Sequence, residues 1–330
     1  MLRAALIGVA LLYGFISTIT AQEQPGVAIR AETTLVLVDV MARNTKTQEP
    51  EKDLKKEDFR LFDNGKEVPI EVVDSGTQAR PIALWLAVIC NEQFEGSKRS
   101  GLFSGKESLL RDALNDLAPR DTAGVAHWCD NGEAKLNVRA TTKPDEVIAG
   151  LANALEPVPF VPPAGTRIGE VTLQAMVRLI VVDARLADPQ PMPVIVFLHS
   201  DYTGMPKEDL SLLTHDFLTT SGVAFGIKNS KVPGMPSESN EATQVLHYLA
   251  EETGGEYFSV PEERYAATLS TILGQVHFRY QLAFRPAALD GKRHTLKVEL
   301  TKTASKQHKN VKLFHRAAYL ASKESTAGAR

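Results

Sequence analysis

The sequence lacks the short motifs on which many enzymes depend. Neither glycine-rich phosphate loop, Gly-x-Gly-x-x-Gly or Gly-x-x-x-x-Gly-Lys-Ser/Thr, occurs, so nothing supports nucleotide binding. Gly-x-Ser-x-Gly and His-Glu-x-x-His are also absent, and the eight histidines include no pair at metal-ligand spacing on a predicted helix. His199-Ser200-Asp201 has the composition of a catalytic triad, but adjacent residues on one short loop point in different directions.

The sequence also has little net charge and few long apolar runs. The net charge is -3, from 37 basic and 40 acidic residues, so no overall field favours nucleic acid or acidic substrates. Residues 4–16 are apolar but too short to span a bilayer comfortably, and a basic start and a possible cleavage region flank them. They predict a secretory signal over residues 1–21, the alternative being an uncleaved membrane anchor. With the signal removed, we expect no membrane span and a secreted, periplasmic or cell-envelope protein.

What the sequence does contain is an unbroken apolar run that follows Pro81. Eight apolar residues, 82–89, stop abruptly at the polar residues 91–93. Such a run predicts a strand that is buried on both faces in the middle of a parallel sheet. Ligand crevices in open α/β sheets lie beyond the carboxyl ends of such strands. A site is therefore most expected at residues 90–93.

Strand and helix patterns alternate over residues 80–277. Six apolar strands have helices between most of them, and an Asn131-Gly132 hairpin makes one pair antiparallel. We predict an α/β fold with a doubly wound, mostly parallel six-stranded sheet and one antiparallel strand.

β-Strand patterns occupy both flanks of this domain. Residues 22–79 contain a β-branched run and an Asn64-Gly65 hairpin, with Pro69 predicted at an edge or bulge. Residues 278–322 alternate with period two, and residues 323–330 form a predicted disordered tail. Because short tail strands do not easily form a stable sheet alone, we expect them to pack with residues 22–79. The α/β domain is then inserted in a small all-β unit.

Four segments together resemble the von Willebrand factor type A domain, in the form found in a bacterial family of secreted proteins with β segments on both sides. They are Leu35-Val36-Leu37-Val38-Asp39-Val40, residues 54–65 with Asp58-Phe59, Thr253-Gly254-Gly255, and Tyr280-Gln281-Leu282-Ala283-Phe284-Arg285-Pro286. Their order and spacing carry the resemblance. It implies a doubly wound fold that often holds a metal-ion-dependent adhesion site, made by Asp-x-Ser-x-Ser, a Thr and an Asp on three loops.

The adhesion site that this resemblance implies is degenerate here. The first motif falls at Ile89, Asn91 and Gln93, while Thr166 and Asp201 match the second and third positions. Ile89 replaces the carboxylate, and an apolar side chain cannot ligate a hard divalent cation.

Two interpretations of these loops stay open. A weak Mg²⁺ or Ca²⁺ site is chemically possible if Glu92 or Glu95 assists Asp201, although a vacant site is favoured because the anionic anchor is missing. Otherwise the residues are structural: Thr166 caps the following helix, Asp201 organises its loop, and the two amides are surface polar groups.

The chain has only two cysteines, Cys90 and Cys129. In the fold that the resemblance implies, both follow neighbouring parallel strands, so we predict a disulfide between them. It would close a loop of about 40 residues and stabilise the fold by about 3–4 kcal/mol. The alternative is two buried thiols.

These features predict an exported, non-enzymatic, adhesion-type module that binds a protein partner. The predicted contact residues are Asn91, Glu92, Gln93, Thr166 and Asp201. The alternatives are a hydrolase-type enzyme that uses the same crevice and a structural envelope protein with no ligand there. No nucleic-acid partner is expected, nor any cofactor beyond weakly held Mg²⁺ or Ca²⁺, and the sequence gives no oligomeric state.

Overall fold

A computed structural model of the chain describes residues 35–75, 80–90, 110–129, 133–155, 173–187, 190–199, 210–230 and 241–321. The described strands are β1 (Val36–Asn44), β2 (Phe59–Asp63), β3 (Lys66–Val68), β4 (Ile70–Ser75), β5 (Ile82–Cys90), β6 (Thr122–Cys129), β7 (Glu133–Thr141), β8 (Met192–His199), β9 (Val223–Asn229), β10 (Tyr257–Val260), β11 (Tyr280–Phe284), β12 (Arg293–Leu300), β13 (Val311–His315) and β14 (Ala318–Leu320). The described α-helices are α1 (Arg111–Asn115), α2 (Pro144–Leu155), α3 (Leu173–Arg185), α4 (Leu210–Thr220), α5 (Glu241–Thr253), α6 (Tyr265–His277) and α7 (Lys302–Gln307).

The central sheet has six strands in the order β10-β9-β8-β5-β6-β7. β6 and β7 pair antiparallel, and the other neighbours pair parallel. The predicted fold class is therefore confirmed, including its single antiparallel strand.

The apolar run that follows Pro81 forms β5, and its side chains are buried on both faces. Leu84, Leu86 and Val88 join the core beneath α1, α2 and α6. Trp85 and Ile89 point to the other face, where α3, α4 and α5 cover them. A strand that is enclosed between two helical layers has no wet face, and for this reason its sequence does not alternate with period two.

The two ends of the chain form two antiparallel four-stranded sheets, in the orders β13-β1-β11-β4 and β14-β12-β2-β3. β1 lies between two C-terminal strands, and β12 pairs with β2. One apolar core, with Val38, Leu61 and Phe284 among its members, joins both sheets. The predicted all-β unit of N- and C-terminal segments is thus confirmed.

Local details of this β unit both follow and depart from the sequence-based expectations. Asn64 and Gly65 have φ of 50° and 77° and turn the β2–β3 hairpin as predicted. Pro69 lies between β3 and β4, which are edge strands of two different sheets, so the predicted edge position is confirmed and the residue also marks a corner. α7 and β14 were not predicted, because a six-residue helix and a three-residue strand carry too little periodicity.

Some expectations fall outside the described residues. These include the secretory signal at 1–21 and the tail at 323–330. Among the helices that the structure describes, none combines the length and the apolar character required to cross a bilayer.

Candidate functional site

The direction in which the chain adds strands to the central sheet reverses after β7. From β5 the chain proceeds to β6 and β7 on one side, and it then returns to β8, β9 and β10 on the other. In open α/β sheets, ligands bind outside the carboxyl ends of the strands at such a reversal. The edge formed by the ends of β5 and β8 is therefore the candidate site.

The strand register aligns the ends of the strands on either side of this reversal. Ile89 pairs with Trp128 of β6 and with His199 of β8. Neighbouring strands thus end level just before the predicted contact positions 91–93 and 201. The positions themselves, Asn91, Glu92, Gln93, Thr166 and Asp201, lie outside the described residues, and their roles stay predictions.

Ile89 contributes packing at this edge. Its side chain is 2% exposed and belongs to the same apolar cluster as Trp128, Leu173 and Phe197. The hydrocarbon side chain of Ile89 supplies no oxygen to a cation. The strand end where the resemblance implies an anchoring carboxylate is therefore hydrophobic.

Two basic residues lie in the same row as Ile89, a row being the set of register partners across neighbouring strands. His199 is the register partner of Ile89 on one side and of Lys228 on the other. Register partners in parallel strands project to the same face of the sheet. Both basic side chains are buried, at 1% and 2% exposure. The row therefore combines hydrophobic groups with groups that can carry positive charge.

These basic residues were missed by the sequence analysis as parts of the site. In the sequence His199 stands out only within His199-Ser200-Asp201, and no motif includes Lys228. Their shared signal is position, since each lies at the end of a short apolar strand. Which row they share depends on strand register, and one sequence does not fix the register of non-local parallel strands.

A tyrosine fixes the orientation of His199. The Tyr257 hydroxyl lies 2.8 Å from Nε2 of His199, and its ring stacks on His247 with 4.7 Å between centroids. The ring crosses the backbone of Gly226, where an added Cβ would lie 2.4 Å from Cδ2 of Tyr257. Gly226 therefore leaves the space that the tyrosine needs to reach His199.

The described residues bear on both the predicted metal site and the predicted disulfide. Within the ranges described above, no three His, Cys, Asp or Glu side chains lie close enough together to hold a metal ion. Cys90 and Cys129 are register partners at the ends of β5 and β6, as the predicted pairing requires. Their side chains lie outside what the structure describes, so the disulfide stays a prediction.

Comparisons with known proteins give structural likenesses only. No family model matches the sequence, and no curated protein matches it. Proximal thread matrix protein 1 from the mussel byssus aligns at 10% identity and a TM-score of 0.42, covering 64% of this chain and 49% of that one. An aerotolerance-related membrane protein from Bacteroides fragilis aligns at 12% identity and a TM-score of 0.41, covering 59% and 98%. The VWA domain of SpRpn10 aligns at 9% identity and a TM-score of 0.39, covering 57% and 93%.

The chain spans about half the length of the mussel protein with which it aligns. Its strand order and single antiparallel strand define a von Willebrand factor type A-like fold. Antiparallel sheets built from both ends of the chain are added to that fold.

Proposed function

We propose that this protein is an exported, non-enzymatic interaction module that binds a protein partner at the carboxyl edge of its central sheet. The contact residues would be Asn91, Glu92, Gln93, Thr166 and Asp201. The observation that carries the proposal is the pairing of Ile89 with His199 at the reversal of strand order. Two of the proposed contact segments therefore leave the sheet from neighbouring strand ends.

In this proposal, binding depends little on a divalent cation. Ile89 removes the carboxylate that would anchor a metal, and Mg²⁺ sites usually need one or two carboxylates. Where a cation is held weakly at this edge, a carboxylate on the partner would complete its ligands.

The test compares retention of partners from an extract of the native cell envelope. Wild-type protein, Asp201→Ala and the exposed control Asp112→Ala serve as bait, each with EDTA and with Mg²⁺. We expect one partner to be retained by wild type and control in both conditions, and about tenfold less by Asp201→Ala because a charge-assisted contact is lost.

Each other outcome contradicts part of the proposal. Equal retention by all three baits would favour a structural envelope protein whose edge is inactive. Loss of the partner in EDTA, together with a melting temperature that rises with Mg²⁺ or Ca²⁺, would establish a retained metal site.

A further inference from the structure

A cavity of about 410 Å³ opens at the opposite, amino-terminal edge of the central sheet. Its walls come from residues 80–82, 118–121 and 277–279. The first and last of these segments are the connections through which the chain enters and leaves the α/β domain. We call this space the seam cavity. Its volume lies within the range of about 300–1,000 Å³ that is usual for small-molecule sites.

One part of the seam cavity is apolar. Pro81, Ile82, Pro119 and Phe278 contribute to its wall. Phe278 is 42% exposed, and Nζ of Lys52 lies 3.6 Å from its ring centroid. Covering an exposed aromatic ring and two prolines with an apolar ligand removes apolar surface from water, which favours binding.

The carboxylate that lines the cavity is already fully engaged. Asp121 accepts hydrogen bonds from the backbone N–H groups of Ile82 and Ala118, both at 2.9 Å, and lies 2.7 Å from Nε2 of His277. Arg279 is engaged as well, since it donates to Asp39 at 2.9 Å and to two backbone carbonyls. These groups hold the walls in place.

Two other arginines bring positive charge that is not matched in this way. Arg120 is exposed and makes no ion pair with any residue of the described ranges. One terminal nitrogen of Arg80 donates to the carbonyls of Thr220 and Ser221, at 3.3 and 3.2 Å. Its Nε is buried and has no acceptor within the described residues. A buried donor without an acceptor is costly, so the positive charge of Arg80 is incompletely satisfied by the described residues.

The surroundings of Arg80 leave this positive charge only partly compensated. Burial lowers the pKa of Arg80, Asp39 opposes that change, and the like charge of Arg279 adds to it. Asp39 lies 3.9 Å from Arg80, but it is also bonded to Arg279. One carboxylate therefore serves two guanidinium groups.

We propose that the seam cavity binds a small amphipathic anion, namely an aromatic or aliphatic carboxylate. Its apolar body would lie against Pro81, Pro119 and Phe278, and its carboxylate would face Arg80 and Arg120. Because both interdomain connections line the cavity, a bound ligand would also hold the α/β domain on the β unit. This site is separate from the proposed partner-binding edge, which lies at the other end of the strands.

The test uses the full chain, with 2-naphthoate as the charged probe and 2-naphthalenemethanol as its neutral analogue. Titration calorimetry should show naphthoate binding at least tenfold tighter than the alcohol, because only the carboxylate accepts charge-assisted hydrogen bonds. Arg120→Gln and Phe278→Leu should each weaken naphthoate binding about fivefold or more. The matched controls, exposed Arg139→Gln and exposed Leu186→Ala, should leave it unchanged.

The melting temperature of each variant without ligand shows whether its fold is intact. The proposal is overturned if naphthoate does not bind at millimolar concentration, or if the alcohol binds equally well. It is also overturned if folded Arg120→Gln and Phe278→Leu bind naphthoate as wild type does.

Discussion

Asp121 shows how a single buried carboxylate organises the amino-terminal edge of the central sheet. It is 5% exposed, and its two oxygens receive hydrogen bonds from the start of β5, from the loop before β6 and from the end of α6. Burial opposes its ionisation, but the hydrogen bonds from His277, Ile82 and Ala118 outweigh burial and lower the pKa of Asp121. A carboxylate whose pKa is lowered by folding stabilises the folded state when it is charged.

We predict that Asp121→Asn destabilises the protein by about 2 kcal/mol at pH 7, because one buried backbone N–H or His277 loses its acceptor. The stabilisation by the charged carboxylate is fully present above the unfolded-state pKa of about 4 and is lost as the pH falls through the lower folded-state pKa. The difference between wild type and variant should therefore shrink below about pH 4. Urea unfolding at a series of pH values measures it.

Asp116→Asn is the control for this substitution. Asp116 is exposed and accepts one hydrogen bond from Ser270, so its replacement should change stability by less than about 0.5 kcal/mol. An Asp121→Asn effect as small as that of the control, or one independent of pH, would contradict the role assigned to Asp121.

The carboxyl end of α5 packs between two sheets. Thr253 accepts a hydrogen bond from the N–H of Ala224 on β9 and donates to the carbonyl of Leu249 within α5. Gly254 has φ of +83°, and an added Cβ would lie 2.4 Å from the carbonyl carbon of His315 on β13. An αL glycine stops the helix, and the absence of a side chain lets two backbones approach closely.

Gly254→Ala should destabilise the protein by about 2–4 kcal/mol, since it combines an unfavourable φ with a backbone clash. The control is Gly274→Ala in α6, where the nearest atom to the added Cβ would be Pro50 Cγ at 4.0 Å. Because alanine favours a helix over glycine, this control should be neutral or more stable by up to about 1 kcal/mol. Chemical denaturation followed by circular dichroism distinguishes them, and similar losses in both variants would contradict the argument.

Buried arginines connect the β unit to the α/β domain. Arg279 is 2% exposed and bridges Asp39 of β1 to the end of α6 and to the connection before β5. Arg43 of β1 forms an ion pair with Glu256, which directly precedes β10. Separating a buried ion pair leaves an uncompensated buried charge, which is costly. These contacts therefore couple the two parts.

Arg279→Met should reduce stability by about 3 kcal/mol, because it removes the buried charged partner of Asp39 and leaves two backbone carbonyls without their donor. Tryptophan fluorescence reports on the central sheet, because both tryptophans of the chain, Trp85 and Trp128, lie there. Circular dichroism reports on all helices and strands. In wild type the two signals should change together on unfolding, and in the variant they should separate.

Exposed Arg285→Met is the control for Arg279→Met. Arg285 is 61% exposed at its pair with Glu71, so its loss should cost less than about 1 kcal/mol and leave the two signals coincident. Coincident transitions in Arg279→Met as well would show that this contact does not couple the two parts.

The sequence sufficed for the central sheet because a doubly buried strand such as β5 is recognisable from its uninterrupted apolar run. It also indicated that the two ends of the chain form one β unit, since short alternating strands need partners. It did not reveal the row formed by Ile89, His199 and Lys228, which depends on the register of three strands that are distant in the chain. Nor did it reveal that residues 80–82 and 277–279 line one cavity.

The sequence by itself determined the α/β class, the antiparallel pair, the insertion in a β unit and the absence of a carboxylate at Ile89. These follow from local patterns, because hydrophobic period and turn residues act over a few positions. Only the tertiary structure decided that basic side chains share the row with Ile89 and that arginines from both interdomain connections surround the seam cavity. Residues far apart in the chain meet through packing and strand register, and their energies depend on contacts that no local pattern encodes.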